Sequence, residues 1–237
     1  MLCKIADFLV EVPDVENLRW RCDSYLTDEK GQPDVVIDEK AFEPERWPLA
    51  DYKTVCYMES ARLFYYDILR LNGMMLHASA VEYEGKAYLF SGPSTVGKST
   101  HTRLWKKCFG EGVQIFNDDK PALRCIDGQW FAYGTPWCGK DGINQNKKVP
   151  VAGICFLKQE HHNSIQRLSP KEAMLKIVAQ STRRSTDPAQ MGQLLSLVDK
   201  LVREVPVYLL ENTPTPEAAQ LSYKTMCYGI DDEGERK

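Results

Sequence analysis

Nine consecutive residues, Gly92-Pro93-Ser94-Thr95-Val96-Gly97-Lys98-Ser99-Thr100, fit the pattern G-x-x-x-x-G-K-[ST]. Each fixed position of that pattern has a physical job. Gly92 and Gly97 let the backbone turn several N–H groups toward one point. A helix opening at Lys98 adds the positive end of its dipole there. The Lys98 ammonium can then reach the β- and γ-phosphates of a nucleotide, and the Ser99 hydroxyl can hold the Mg²⁺ that bridges them. With glycine near ~7% usage, chance supplies such a match in roughly one chain in a hundred of this length. Context therefore decides, because the loop works only between a strand and a helix. The run Lys86–Ser91 reads as that strand, and helix-compatible residues follow Lys98 through Trp105. Binding of a nucleoside triphosphate, ATP or GTP, is the expectation.

A second constellation lies nearby. Val113–Phe116 reads as an apolar strand ending at Asn117-Asp118-Asp119. Ligands of open α/β sheets bind at the C-terminal ends of strands, and a phosphate loop needs a second metal anchor of this kind. Two adjacent acids allow one to hold Mg²⁺ while the other accepts a proton from an attacking hydroxyl. The expected reaction is transfer of the terminal phosphoryl group to a serine-like hydroxyl on a peptide, protein or small molecule. Asn146-Lys147-Lys148-Val149 lacks the aspartate of a guanine-recognising N-K-x-D motif, which argues against a Ras-like switch. Taken alone, His77 is a structural strand residue and the pair Arg183-Arg184 a solvated helix end.

These side chains need elements to hold them. Tyr57, Ala61, Phe64, Ile68 and Leu71 recur at helical spacing and predict a helix over 54–72, stopped by Gly73. Residues 74–83 and 86–91 read as paired strands joined at Glu84-Gly85. Val151–Leu157 predicts another strand. Ser169, Pro170 and Glu172 mark a capped helix start. Met191, Leu194, Leu195, Val198, Leu201 and Val202 form the apolar stripe of a further helix, ended by Pro206. Val207–Leu210 predicts a strand and Thr215-Pro216-Glu217 a terminal helix. Upstream, Pro13, Pro33, Pro44 and Pro48 forbid a long helix, so residues 1–53 read as a β-rich extension. Residues 54–230 form the catalytic domain and 231–237 a flexible tail.

Composition bounds the function. The chain has 237 residues, 43% hydrophobic and 27% charged, with net charge −3. Nothing basic suggests nucleic acid, and no apolar run reaches the ~18 residues of a membrane span. Eight cysteines show no zinc or redox spacing. A cytoplasmic protein with reduced, mostly buried thiols is expected.

The order Leu76-His77-Ala78, then the loop 92–100, then Asp118-Asp119 resembles the catalytic domain of bacterial HPr kinase/phosphorylase, and more remotely phosphoenolpyruvate carboxykinase. Ser91–Trp105, Phe116–Arg124 and Gly134–Lys140 resemble stand-alone HPr-kinase-like proteins in particular. The resemblance implies the PEP carboxykinase/HPr kinase-like P-loop fold, α/β with a mixed sheet. Gly92, Gly97, Lys98, Ser99 and Thr100 would bind triphosphate and metal. Asp118 would be the acid/base residue and Asp119 the metal partner with Ser99, the two roles being exchangeable. His77 would sit near the transferred phosphate, with Lys120 and Arg103 as weaker phosphate contacts whose default is a solvated charge. The resemblance also admits a homo-oligomer. The pattern departs from the family in three places. Residues 1–73 are shorter than the separate N-terminal domain of those kinases. Thr95 stands where they carry a glycine. Gly134–Lys140 replaces their glutamate–arginine signature, so HPr itself is not the expected substrate. Two other readings compete: a nucleotide-binding regulatory or peptide-modification accessory protein without phosphotransfer, and a carboxykinase-like enzyme.

Overall fold

The computed structural model describes residues 1–183 and 186–229. Arg184 of the basic pair and the tail 231–237 lie outside them. In chain order the elements are β1 (Leu2–Ile5), β2 (Phe8–Glu11), α1 (Glu16–Cys22), β3 (Val35–Val36), α2 (Tyr52–Arg70), β4 (Gly73–Met75), β5 (Ala78–Tyr83), β6 (Lys86–Ser91), α3 (Lys98–Phe109) and β7 (Val113–Asp119). Then follow β8 (Ala122–Ile126), β9 (Gln129–Tyr133), β10 (Lys148–Gln159), β11 (Ser164–Arg167), α4 (Pro170–Ala179), α5 (Pro188–Glu204), β12 (Val207–Asn212) and α6 (Pro216–Tyr228).

A curled mixed sheet organises the chain, in the order β4-β8-β9-β10-β6-β5-β7, with β12 and then β11 branching from β10. The chain is therefore α/β with a mixed sheet. Side chains alternate cleanly along its central strands, as the pleat requires. Tyr88 and Phe90 of β6, with Cys155 and Leu157 of β10, face the core that holds Trp105 of α3 and Ala219 and Met226 of α6. Ala87, Leu89, Ile154 and Phe156 face the opposite core, which holds Ile177 of α4 and Leu194, Leu197, Val198 and Leu201 of α5. A third core joins the small β1-β2-β3 sheet to α2 and Trp137.

Several elements differ from the sequence reading. Helix α2 begins at Tyr52, because Asp51 Oδ1 accepts the Thr54 N–H at 2.8 Å as its cap. The helix ends at Arg70 and Asn72, at φ 59°, turns the chain out of it, so Gly73 opens β4 and does not stop the helix. The strand expected over 74–83 breaks at Leu76-His77, where the main-chain N–H groups turn to Pro121 O and Gln180 O. In α5 the buried face uses Leu197, while Leu195 of the expected stripe is 40% exposed. Helix α1 and strand β11 were not expected at all. All eight cysteines are free, and no helix among the described residues is long and apolar enough to cross a membrane.

Strand direction sets up the site. β5 pairs antiparallel with both β6 and β7, so β6 and β7 run the same way and end at the same edge. Ala78, at the start of β5, pairs with Ser91 at the end of β6 and with Asp119 at the end of β7. His77, the 92–97 loop and the acid pair are therefore neighbours by register.

Candidate functional site

The loop between β6 and α3 needs its glycines. Gly92 has φ +146°, and a Cβ there would meet Val96 Cγ1 at 2.9 Å; Gly97 has φ +103° and no crowding. Thr95 also sits in the left-handed region, at φ 69°, which a β-branched residue adopts only under strain. That conformation gives a physical reason for a glycine at this point of such loops. Lys98 opens α3 and folds back: its Nζ donates to Gly92 O at 3.0 Å and Pro93 O at 3.1 Å. Burial lowers the Lys98 pKa, and the nearby charges of Asp119 and Asp118 oppose that shift.

Strand β7 carries the acids at its C-terminal end, Asp118 and Asp119 being its last two residues. A bulge makes this useful. Ala80 pairs with Asn117 and Val81 with Ile115, leaving Phe116 as the extra residue. Val113 and Ile115 face the α3 side of the sheet. An unbroken pleat would next send Asn117 and Asp119 there. The bulge shifts the phase by one residue, and Asp118 meets α3. Ser99 Oγ donates to Asp118 Oδ1 at 3.0 Å, and Asp118 is only 6% exposed. Thr102 ties α3 down behind them, contacting Ser79 Oγ of β5 at 2.9 Å.

Asp119 turns to the other partners. His77 Nε2 lies 3.1 Å from its Oδ1, and Lys120 Nζ donates to its Oδ2. Burial raises the Asp119 pKa, but the His77 hydrogen bond and the Lys120 charge overcome this and hold it at about 2. Its φ of 126° is strained for a residue with a side chain. His77 is fixed from behind by Gln180, whose backbone O accepts the His77 N–H at 2.8 Å and whose Oε1 lies 3.1 Å from Nδ1.

A cavity of about 430 Å³ gathers these groups: His77, Gly97, Lys98, Ser99, Asp118 and Asp119 line it. Ser94, Thr95 and Thr100 complete the loop's share of its wall. Pro93 and Val96 lie on the far side, against Leu157 and Lys176, and Gly92 lies beneath, serving Lys98 through its carbonyl. Arg103 and Asp141 form an ion pair at the rim. Lys120 is 17% exposed and held by Asp119 and Tyr57, not the solvated charge expected of it. Among the described residues no group of three or more His, Cys, Asp and Glu side chains is set to hold a metal alone.

Sequence reasoning missed the supports. Tyr57 of α2 donates to Cys138 O at 2.7 Å and approaches Asp119 Oδ2 at 3.5 Å. Arg21 of α1 donates to Cys138 O and stacks on Tyr57 with 4.5 Å to the ring centre. Together they fix the 134–142 segment, which brings Lys140 and Asp141 to the cavity. That segment's motif-like appearance was the one available signal.

The chain belongs to the ScmC family: the family model described as SynChlorMet cassette protein ScmC matches residues 48–215. A solved structure, the Hpr(Ser) kinase/phosphatase from Coxiella burnetii, is similar at 14% identity, over 65% of this chain and 88% of that one, with a TM-score of 0.38. No curated protein matches the chain. The family shown is therefore ScmC, and kinship with HPr kinases belongs to the proposal that follows.

Proposed function

We propose that this protein is an HPr-kinase-like phosphotransferase, which binds a nucleoside triphosphate with Mg²⁺ on the P-loop 92–100 and passes the terminal phosphoryl group to a hydroxyl. The observation that carries this reading is a convergence. Three strand ends bring Lys98, Ser99, His77 and both acids around one cavity, at the open end of a strand–loop–helix unit.

The donor set fits Mg²⁺. That ion takes oxygen ligands, keeps several waters and needs only one or two carboxylates beside phosphate oxygens, so the absence of a protein-only cluster is no obstacle. Ser99 Oγ and Asp118 Oδ1, 3.0 Å apart, are the oxygens that would hold it. The metal role thus moves from Asp119 to Asp118, while the acid/base role does not pass to Asp119. When bound, the ion would neutralise charge on the terminal phosphates.

The chain's own groups do the remainder. Backbone N–H groups of the loop and the α3 N-terminus bind phosphate oxygens. Lys98 leaves its loop carbonyls for the β- and γ-phosphates, and its burial makes that exchange favourable. Asp119, held near pKa 2, is too weak a base to take a hydroxyl proton unaided. It fixes His77 beside the transferred group instead, accepting from its Nε2–H, and the acceptor's proton passes to a phosphoryl oxygen, which serves as the base as the new O–P bond forms. A loose phosphoryl-transfer transition state asks little of that base, so positioning and charge supply most of the acceleration. The acceptor reaches His77 through a second opening of about 380 Å³, lined by Met58, Met75, His77, Asp119 and Thr182. On this reading residues 54–230 are the phosphotransfer unit, and residues 1–53 prop its 134–142 segment through Arg21.

Calorimetric titration of wild type and Lys98→Ala with ATP and Mg²⁺ tests the proposal. Saturable binding in wild type, weakened at least ~100-fold in the variant, is expected for loss of a charge-assisted phosphate contact. Phosphoryl transfer to serine, threonine and short peptides, with His77→Gln as the impaired control, then tests the chemistry. Binding that ignores Lys98 would sink the phosphate-loop reading.

A further inference from the structure

Lys120 is held more firmly than a solvated lysine would be. Its backbone N–H donates to Asn117 Oδ1 at 3.0 Å. Its carbonyl accepts from Thr135 Oγ1 at 2.8 Å and from the Tyr65 hydroxyl. Asn117, Thr135 and Tyr65 are all buried, and Asn117 Nδ2 donates to Thr135 O at 3.0 Å, so the clamp is set in the interior. The φ of 126° at Asp119 lies directly before it, and backbone strain of this kind persists where the surroundings over-determine it. The side chain is fixed as well. Its ammonium donates to Asp119 Oδ2 and, at 3.2 Å, to the Tyr57 hydroxyl, and it lies 5.0 Å from the Tyr57 ring centre. An ammonium carries three N–H donors. Two are taken, and the third has no partner among the described residues.

Two openings meet at this point. Lys98, Ser99 and Asp118 line the phosphate cavity and not the acceptor opening, whereas Met58, Met75 and Lys120 line the acceptor opening and not the phosphate cavity. His77 and Asp119 line both. An in-line displacement has this layout, with the leaving oxygen on one side of the transferred group and the attacking oxygen on the other. Lys98 is then the cation of the donor side and Lys120 the cation of the acceptor side. They are near neighbours: burial is the main cause of the lowered Lys98 pKa, and the Lys120 charge adds to it.

We propose that Lys120 is a catalytic residue that binds the acceptor, its free N–H donating to the acceptor's hydroxyl oxygen. The proposal rests on the phosphotransfer reading of this site and adds the group that holds the nucleophile. A hydroxyl oxygen has two lone pairs. One accepts from Lys120 Nζ, and the other attacks phosphorus. As the new O–P bond forms, the bond from phosphorus to the bridging oxygen of the nucleotide breaks, and that oxygen leaves with the electron pair. The hydroxyl proton passes to a phosphoryl oxygen, and Lys120 keeps its own protons throughout. Asp119 and Tyr57 fix the ammonium before the acceptor arrives, so the attacking oxygen is oriented at little further loss of entropy.

The test follows phosphoryl transfer from ATP with Mg²⁺ to serine and to blocked serine peptides on the full chain, together with ATP hydrolysis, in which water is the acceptor. Lys120→Met and Lys120→Ala are compared with wild type after circular dichroism confirms folding and calorimetry gives ATP affinity. In Lys120→Met, kcat for transfer and for hydrolysis should fall about 100-fold, the loss expected for one oriented donor in a water-poor site. ATP affinity should stay within about 3-fold. Propylammonium replaces the atoms that Lys120→Ala lacks. It should restore turnover to that variant in a saturable way and leave wild type unchanged, a response that a purely structural lysine would not give. A kcat of Lys120→Met within about 3-fold of wild type overturns the proposal and leaves the phosphotransfer reading standing. So does a deficit in Lys120→Ala that propylammonium does not relieve, or one matched by an equal loss of ATP affinity. ATP that binds wild type and Lys98→Ala alike, or binds wild type with no turnover to any acceptor, overturns the phosphotransfer reading and this proposal with it.

Discussion

Replacing Asp119 with Asn should destabilise the protein in a pH-dependent way whose size follows from the site. The carboxylate accepts from His77 Nε2 and from Lys120 Nζ, and these partners hold its pKa at about 2 against an ordinary 3.8. A difference of about 2 units corresponds to roughly 2–3 kcal/mol. The side chain is 25% exposed, so solvent screens only part of this, and about 2 kcal/mol is the working figure. Asn keeps the shape, and it tolerates positive φ about as well as Asp does, so backbone strain at φ 126° largely cancels in the comparison. The sign follows from the lowered pKa. Stabilisation is complete above the unfolded value near 3.8 and is lost as pH falls toward 2. At pH 7 the variant should therefore melt about 4–8 °C lower. Repeating urea unfolding at pH 7, 5 and 3.5 should show the gap holding from pH 7 to 5 and narrowing by 3.5. A gap that is constant across the series, or a variant more stable than wild type at pH 7, would refute the charge argument.

Three further outcomes are expected. Glu59, fully buried in α2, accepts from Arg62, from Trp47 Nε1 and from the Glu43 N–H; Glu59→Ala should cost about 3 kcal/mol in urea unfolding, because the buried Arg62 keeps only the longer contacts to Glu43 and Ala41 O and Trp47 Nε1 loses its acceptor, and Glu59→Met with Arg62→Met should recover most of it. Thr95→Gly should raise stability by about 1 kcal/mol in thermal unfolding, by relieving a β-branched residue at φ 69°. Gly92→Ala should weaken ATP binding at least ~10-fold by calorimetry, since its Cβ would meet Val96 Cγ1 at 2.9 Å and distort the loop at φ +146°.

What the sequence made legible is what the chain encodes locally. The loop between β6 and α3 is one such stretch, because its glycines, its lysine and the helix start are contiguous. The start of α4 is another: Ser169 and Glu172 form a reciprocal capping box, and both halves of it lie within four residues. Helix α1 lacked such a signal, since Val15 caps it without a side-chain hydrogen bond. Strand β11 exists because β12 arrives 40 residues later to pair with it. The facing of the acids on β7 depends on a bulge, and a bulge is a property of two strands. The same distinction runs through the cavity. Lys98, Ser99, Asp118 and Asp119 could be named from motif spacing, but what Asp118 and Asp119 each do depends on which face of β7 each occupies. Gln180, which fixes His77, comes from the end of α4. Tyr57 and Arg21, which fix the 134–142 segment, come from α2 and α1. Each of these three is an ordinary polar or aromatic residue in its own neighbourhood, and its role is created by topology alone. The division of labour inside the site is thus a tertiary fact. Changing Tyr57 or Gln180 should disturb the geometry of the acids while leaving the phosphate loop, a local structure, intact.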